Sequence, residues 1–396
     1  MTSPPAAADV AGLAALRPAM EDLLIRFAAV DSATSDPPGL AAMRDALCAE
    51  LAHLPCDVVT VPTGPNGEAT ILAAARPDAP RRVLLSGHYD TVFGPETGEF
   101  PVTRLDADTL RGPGVIDMKG GIVVMLHALR RLEDSPYAPG LGWEVILVPD
   151  EETGSPHSAS LIAEAASRAH VGLVFEPALP VGGIVRHRLG SGWFRLTATG
   201  IAAHSGRDFA AGRNALVAVA AAATAVHELN AHDDVIVNVA RIDGGGAANV
   251  VPDHAVLDIG VRAATDDAAQ FIETRIRDIA AAAARGHDVT VTVDGRFTRP
   301  PRRVDGRWEP LASAYVAAAA DLGVSIGWAD AAGSSDANLL TAAGLPTLDG
   351  LGPRGGGMHS RDEHCALPSL PERAAVAALF LMRLAAGEVP VPQRTG

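Results

Sequence analysis

Along the first half of the chain, short apolar runs alternate with segments whose apolar residues recur at helical spacing. The spacing predicts helices from about Leu13 to Val30 and from Leu40 to Leu54. Short strands are expected at Asp57–Val61, Ala69–Ala75 and Arg82–Gly87, then Trp143–Val148 and Val171–Phe175, with helices at Ile122–Leu132 and Ser158–Arg168 between them. Strands that alternate with helices predict an α/β layered domain. Beyond His187 the pattern changes. Gly192–Thr199 alternates like a half-buried strand, Asn214–Leu229 is helical, Val235–Ile242 and Ala255–Val261 are strands, Asp266–Arg285 is helical, and Asp288–Val293 is a last strand. That order, β-α-β-β-α-β, is the plan of a small two-layer α+β domain. The α/β pattern then resumes with helices at Trp308–Leu322, Asp336–Ala343 and Leu370–Ala386 and a strand at Pro346–Leu348. The expected organisation is one domain over residues 1–186 and 300–396, with an insert over 187–299 that exits through Pro300-Pro301.

Polar residues cluster where the apolar strands end, which is where open α/β sheets bind ligands. Ser86-Gly87-His88-Tyr89-Asp90-Thr91-Val92 follows Val83-Leu84-Leu85. His88 and Asp90 sit two apart, so their side chains project to one side, as suits a metal ligand and the group that orients it. Gly112-Pro113-Gly114-Val115-Ile116-Asp117-Met118-Lys119-Gly120-Gly121 precedes the third helix, Asp150-Glu151-Glu152-Thr153-Gly154-Ser155 closes one strand, and Glu176 closes another. His359 follows Gly355-Gly356-Gly357-Met358. Taken singly, each has a plain structural use. HxD suits a polar strand end, Asp117 a turn, Glu176 a surface carboxylate, and Glu151-Glu152 the cap of the next helix. Together, two histidines and several carboxylates are the ligand mix of zinc or a similar divalent ion, and they suffice for two metals that share one carboxylate. Adjacent glutamates diverge, so one of the Glu151-Glu152 pair can hold metal while the other takes a proton from water.

These motifs, GHxDxV, GxGxxDxKGG, EExGS, a later single Glu and a C-terminal His-Ser, resemble those of the dinuclear zinc amidohydrolases that include acetylornithine deacetylase, succinyl-diaminopimelate desuccinylase, the aminoacylases and carboxypeptidase G. The likeness covers nearly the whole chain, and Gly112–Gly121 is most similar to the glutamate carboxypeptidase branch. The resemblance implies a zinc-exopeptidase-like catalytic domain, a mixed sheet flanked by helices, with a ferredoxin-like dimerisation or lid domain inserted. It implies two divalent ions per chain, Zn2+ first, with Co2+ or Mn2+ as alternatives. His88 and Glu176 would bind one ion, Glu152 and His359 the other, and Asp117 both. Asp90 would orient His88, and Glu151 would be the general base. A cis peptide is expected at Asp117–Met118. His204, in Gly200–Gly206, would stabilise the oxyanion, reaching a partner subunit's site in dimeric relatives. Asn249, Arg262 and Gly333 would contact substrate, with Arg262 on the same face of its strand as Asp258 and Gly260. The resemblance leaves His364 as an alternative to His359, although the preceding glycines favour His359. Arg354 matches no position of the family pattern.

Composition narrows the partners. A net charge of -15 argues against nucleic acid or an anionic membrane. Three cysteines without CxxC spacing suit a reducing compartment. Met1-Thr2-Ser3-Pro4-Pro5 lacks a basic stretch followed by an apolar core, so no signal peptide is expected. The expectation is a cytoplasmic, homodimeric amide hydrolase that acts on an N-acyl amino acid or a C-terminal, glutamate-like residue. The alternatives are a non-catalytic binder of amino-acid derivatives, which Glu151 argues against, and a two-metal aminopeptidase or dipeptidase, although such aminopeptidases usually lack an inserted domain of this kind.

Overall fold

A computed structural model describes residues 4–392. Met1–Ser3, part of the stretch read above for a leader, lie outside the described residues. The chain divides into two compact units. The first comprises Met1–His187, Arg303–Ala331 and Ser335–Gly396, and the second comprises Arg188–Arg302 with Ala332–Ser334.

In the first unit, α1 (Arg17–Ala28) and α2 (Pro37–Leu51) lead into β1 (Asp57–Pro62), β2 (Ala69–Ala75) and β3 (Arg82–His88). The first helix starts four residues later than its apolar spacing suggests. Ala11–Leu16 is a 3-10 stretch, and Pro18, which has no N–H to donate, is accommodated only in the first turn of α1. Next come α3 (Lys119–Glu133), β4 (Gly142–Val148), α4 (Ala159–Arg168), β5 (Val171–Val174) and β6 (Ile184–Arg188). Helix α3 begins ahead of the expected Ile122 and takes in Gly120 and Gly121. A Cβ on Gly121 would lie 1.9 Å from the Phe175 carbonyl oxygen, so glycine is what lets this helix press against the end of β5.

The sheet of this unit runs β1-β2-β4-β3-β5, followed by a strand at Thr347–Asp349, then β6, and a strand at Trp328–Ala331 at the far edge. β3 pairs in parallel with both β4 and β5, while β1/β2 and β2/β4 are antiparallel, so the sheet is mixed. The alternation of each strand sorts its side chains onto two faces. Val83 and Leu85 join Val145 and Leu147 in one core, while Leu84 joins Ile146 and Val148 in another, under α4. Ile184–Arg188 and Trp328–Ala331 gave no sequence signal. The second is short and largely exposed, so it carries no period-two pattern.

The second unit holds β7 (Gly190–Thr199), α5 (Ala215–His227), β8 (Val235–Gly244), β9 (His254–Ala263), α6 (Asp266–His287) and β10 (Thr290–Arg299). Its sheet is β8-β9-β7-β10, antiparallel throughout, the expected ferredoxin-like plan. Phe194, Leu196, Leu257 and Ile259 meet Val219, Val226, Ile272 and Ile276 in its core. Asn214 Oδ1 accepts the Val217 N–H at 3.1 Å, and Thr265 Oγ1 accepts the Ala268 N–H at 3.1 Å; these cap the two helices. Among the described residues, no helix is long and apolar enough to cross a membrane.

Candidate metal centre

The centre forms at the carboxyl end of β3 and in the loops beside it. His88 is the last residue of β3 and is 1 % exposed. Its Nδ1 lies 3.2 Å from Asp90 Oδ1 and 3.1 Å from the Asp90 carbonyl, and its Nε2 lies 3.1 Å from Asp117 Oδ1 and 3.7 Å from Glu176 Oε1. The other oxygen of Asp117 faces a second imidazole. His359 Nε2 is 3.3 Å from Asp117 Oδ2 and 3.3 Å from Glu152 Oε2. The ligand atoms of His88, Asp117 and Glu152 all lie within 4.8 Å of one another. Imidazole and carboxylate around one small volume are the donor set that divalent transition metals take, so the residues fit such an ion. The peptide Asp117–Met118 is cis, as the resemblance implies.

Backbone geometry delivers these groups. Gly357 has φ +69, and a Cβ there would sit 2.3 Å from the Asp362 carbonyl oxygen. His359 follows at φ 60, a left-handed conformation that a non-glycine residue rarely holds. Of the two candidate C-terminal histidines, the structure brings His359 to the carboxylates. His364 lies in a short strand, opposite Arg111, with its Nδ1 on the Asp362 carbonyl. Arg354 forms an ion pair with Glu372 and does not face the cluster.

Asp90 does more than orient His88. Its Oδ1 accepts the Glu151 N–H at 3.2 Å, and its Oδ2 accepts the Glu152 N–H at 3.1 Å and the Thr34 hydroxyl at 2.7 Å. One buried carboxylate therefore fixes both the imidazole and the backbone of the glutamate pair. The pair forms a 3-10 turn, Glu151–Thr153, and does not cap α4. Asp150 Oδ2 accepts the N–H groups of His157 and Ser158, just ahead of α4, at 2.8 and 3.2 Å. Sequence reasoning missed three residues here. Thr34 and Glu363 carried no local signal, and Asp150 was hidden beside the glutamates. Glu363 is fully buried, and its Oε1 accepts the N–H groups of Ile116 and Asp117 at 3.0 and 3.2 Å.

The second unit carries the remaining expected residues. Ala203-His204 pairs with Val250-Val251, which sets His204 next to Asn249, whose carbonyl accepts the Ser205 N–H at 2.9 Å. His204 Nδ1 accepts N–H bonds from Gly206 and Arg207 at 3.1 and 3.2 Å, so a neutral ring carries its proton on Nε2. Along β9, Asp258, Gly260 and Arg262 alternate with the buried Leu257, Ile259 and Val261. Asp258 is paired with Arg195, at 2.6 and 3.0 Å. Gly333 gives its carbonyl to Arg188 Nη1 at 2.9 Å.

The crowding of charge shifts the titrations. Burial disfavours an imidazolium at His88, but the carboxylates of Asp117 and Asp90 outweigh it, and the pKa stands well above the ordinary histidine value. Hydrogen bonds to Asp117 and Glu152 raise His359 to about 10, against burial. Burial would raise Asp117, yet its bonds to His359 and His88 hold it well below the carboxylate range. Burial raises Glu152, and it pushes Glu363 up to about 7.

Residues 84–383 match the profile of Peptidase family M20/M25/M40. The chain is 29% identical to carboxypeptidase G2 of Pseudomonas sp. (strain RS-16) over 385 residues, which cover 94% of this chain and 91% of that one. Its fold is similar to that of an M20 family metallo-carboxypeptidase, Sso-CP2 from Sulfolobus solfataricus, with a TM-score of 0.78 at 16% identity, covering 93% of this chain and 99% of that one. It is also similar to that of aminopeptidase PepT from Bacillus cereus ATCC 10987, with a TM-score of 0.76 at 20% identity, covering 93% and 99%.

The raised imidazole pKa values have a consequence for metal uptake. Chelator-treated protein holds His88 and His359 as cations near neutral pH, whereas a metal takes the neutral ring. Metal uptake at pH 7.5 should therefore release protons, about one per imidazole that becomes a ligand. The release should fade as pH rises past about 10, where His359 is already neutral. Isothermal titration in buffers of different ionisation enthalpy reads this directly, and a binding heat independent of buffer would contradict it.

Proposed function

Because the chain belongs to peptidase family M20/M25/M40, whose members are metal-dependent amide-bond hydrolases, we propose that it is a dinuclear metallocarboxypeptidase or N-acyl amino acid hydrolase that prefers a glutamate-like residue. One observation carries the dinuclear reading. The two oxygens of Asp117 face two different imidazoles, His88 and His359, each with its own second carboxylate, Glu176 or Glu152. His88 and Glu176 would hold one ion, Glu152 and His359 the other, and Asp117 would serve both. Zinc is the first choice, with Co2+ or Mn2+ as alternatives. Such ions supply Lewis acidity toward the amide carbonyl and make water a better nucleophile at neutral pH.

The chain's own groups do the rest. Glu151 is buried, and Asp90 grips its backbone N–H, so its carboxylate is held steady to accept the water's proton and return it to the departing amine. His204, with Nε2–H free to donate, supplies the oxyanion donor. Asn249 and Arg262 hold the free α-carboxylate, with Gly333 as a further contact. Arg262 Nη1 supports this, since it is buried with no hydrogen-bond partner among the described residues. The relative named carboxypeptidase G2 favours a C-terminal residue as the released group. A non-catalytic binder is not favoured, because the family's members are hydrolases.

We place the homodimer contact on the insert. β8 is an edge strand, and Ile236 and Ile242 on it are exposed, as are Val217, Ala220 and Ala221 of α5. A free edge beside an apolar helix face suits a two-fold partner. A cytoplasmic setting fits the three free cysteines, and the net charge of -15 leaves small-molecule or peptide substrates as the expected partners, without nucleic acid or membrane.

Purified protein should carry about two divalent ions per chain and lose hydrolysis of N-acyl amino acids on chelation, as metal-assisted chemistry requires. Glu151→Gln should lower turnover on the order of 10²–10⁴ with metal content unchanged, the range for loss of a general base. If the ions leave with that substitution, Glu151 is a ligand.

The carboxylate grip is tested with a pair of substrates, one with a free α-carboxylate and one with it amidated. Arg262→Ala should cost roughly tenfold to a hundredfold in kcat/KM on the first and little on the second, the effect of about 1.5–3 kcal/mol of charge-assisted bonding. An equal loss on both would remove Arg262 from this role. For the dimer, sedimentation should show two chains, with His204→Ala slower at unchanged metal content. A fully active monomer would exclude any contribution across the two-fold axis.

A further inference from the structure

Glu363 is a fully buried carboxylate that the proposed mechanism does not use. Its Oε1 accepts two successive backbone N–H groups, from Ile116 at 3.0 Å and from Asp117 at 3.2 Å. Its own carbonyl accepts the Gly112 N–H at 3.1 Å, so side chain and main chain of one residue both grip the 112–117 loop. Its N–H in turn donates to the Ser360 carbonyl at 3.1 Å, which ties it to the turn that carries His359. Among the described residues, Oε2 has no partner at hydrogen-bond geometry, and the Gly114 backbone N–H is a further dipole acting on the carboxylate. Lys119, 1 % exposed and anchored on the Val30 carbonyl at 2.8 Å, is the cation whose charge it meets.

Asp117 is thus held from two directions by one short segment. His359 meets its side chain at Oδ2, and Glu363, four residues on, meets its backbone N–H. Asp117 and His359 lie far apart in sequence; strand pairing joins their segments at His364 opposite Arg111 and Cys365 opposite Leu110, several residues from either ligand. A doubled acceptor on consecutive N–H groups leaves the Ile116–Asp117 peptide little freedom to rotate, and the side chain of Asp117 follows its backbone. We propose that Glu363 is a positioning residue: it sets the shared carboxylate of Asp117 against the imidazole of His359, so that both present their lone pairs to one volume. The proposal rests on the metal-centre reading above. It assigns Glu363 no contact with substrate or ion.

A fold staple would use the same hydrogen bonds, so the test separates affinity from stability. Glu363→Gln keeps an oxygen that can accept both N–H groups. Glu363→Asp keeps the charge and loses the reach, and Glu363→Ala loses both. The probe is Co2+, read by competition against a chromophoric chelator and by its visible absorption, and thermal unfolding is measured on chelator-treated protein. Gln should bind Co2+ within a few-fold of wild type and with the same spectrum. Asp and Ala should bind about 10- to 100-fold more weakly, the usual effect of removing a group that orients a ligand, with an altered spectrum and a chelated melting temperature close to that of the Gln variant. If Ala fails to fold, the comparison of Asp with Gln decides alone. Co2+ binding by Asp equal to wild type would overturn the proposal, as would a Gln variant as weak as Asp, or weakened binding with an unchanged spectrum and a matching fall in melting temperature. A wild-type chain that takes up no Co2+ would instead sink the metal-centre reading, a result distinct from any of these.

Discussion

Carboxylates repel one another, and a protein that gathers Asp90, Asp117, Glu151, Glu152 and Glu176 around one point must offset that repulsion. The charges are largely out of water, where their mutual field is least screened. Two kinds of compensation are visible. Backbone N–H groups of Glu151 and Glu152 are spent on Asp90, and those of Ile116 and Asp117 on Glu363. The imidazoles of His88 and His359 stand between the remaining carboxylates and become cations when nothing else is there to balance them. The local folds at the ends of β3, β4 and β5 serve this balance. Glycine at 121 lets a helix approach, a left-handed turn carries His359, and a 3-10 turn carries the glutamate pair.

The same balance explains why one of two adjacent glutamates can differ in task from the other. Both N–H groups point to one carboxylate, Asp90, which pins the backbone and sends the two side chains apart. Glu152 is turned toward His359. The hydroxyl of Thr34 completes the coordination of Asp90, so a loop between the first two helices is part of the centre's support.

Much of the fold was legible because it is written in short-range periodicity. Short apolar runs marked β3 and β4, alternation marked β7, and the switch from a layered α/β pattern to β-α-β-β-α-β marked the insert. Helix starts were less legible, and Pro18 delayed α1 for a reason local to one residue. Trp328–Ala331 was invisible because an exposed edge strand needs no apolar face. At the centre, the motif residues could be named because each lies at the end of a recognisable strand or in a glycine-rich turn. Their supports could not. Thr34 meets Asp90 across 56 residues, and Glu363 meets Asp117 across 246. A hydroxyl in a loop and an acid beside another acid carry no mark of what they will touch once the chain closes.

The family-matched stretch begins at residue 84, yet the working unit begins well before it. The Thr34 hydroxyl braces Asp90, the Val30 carbonyl seats the Lys119 ammonium, and β1 and β2 complete the sheet on which β3 and β4 rest. An excised fragment cut at the edge of the recognisable motif would keep His88, Asp117, Glu152, Glu176 and His359 and lose the bracing behind them. Detectable ancestry and mechanical self-sufficiency have different borders in this chain. Gene fusions, truncations and domain grafts should follow the second.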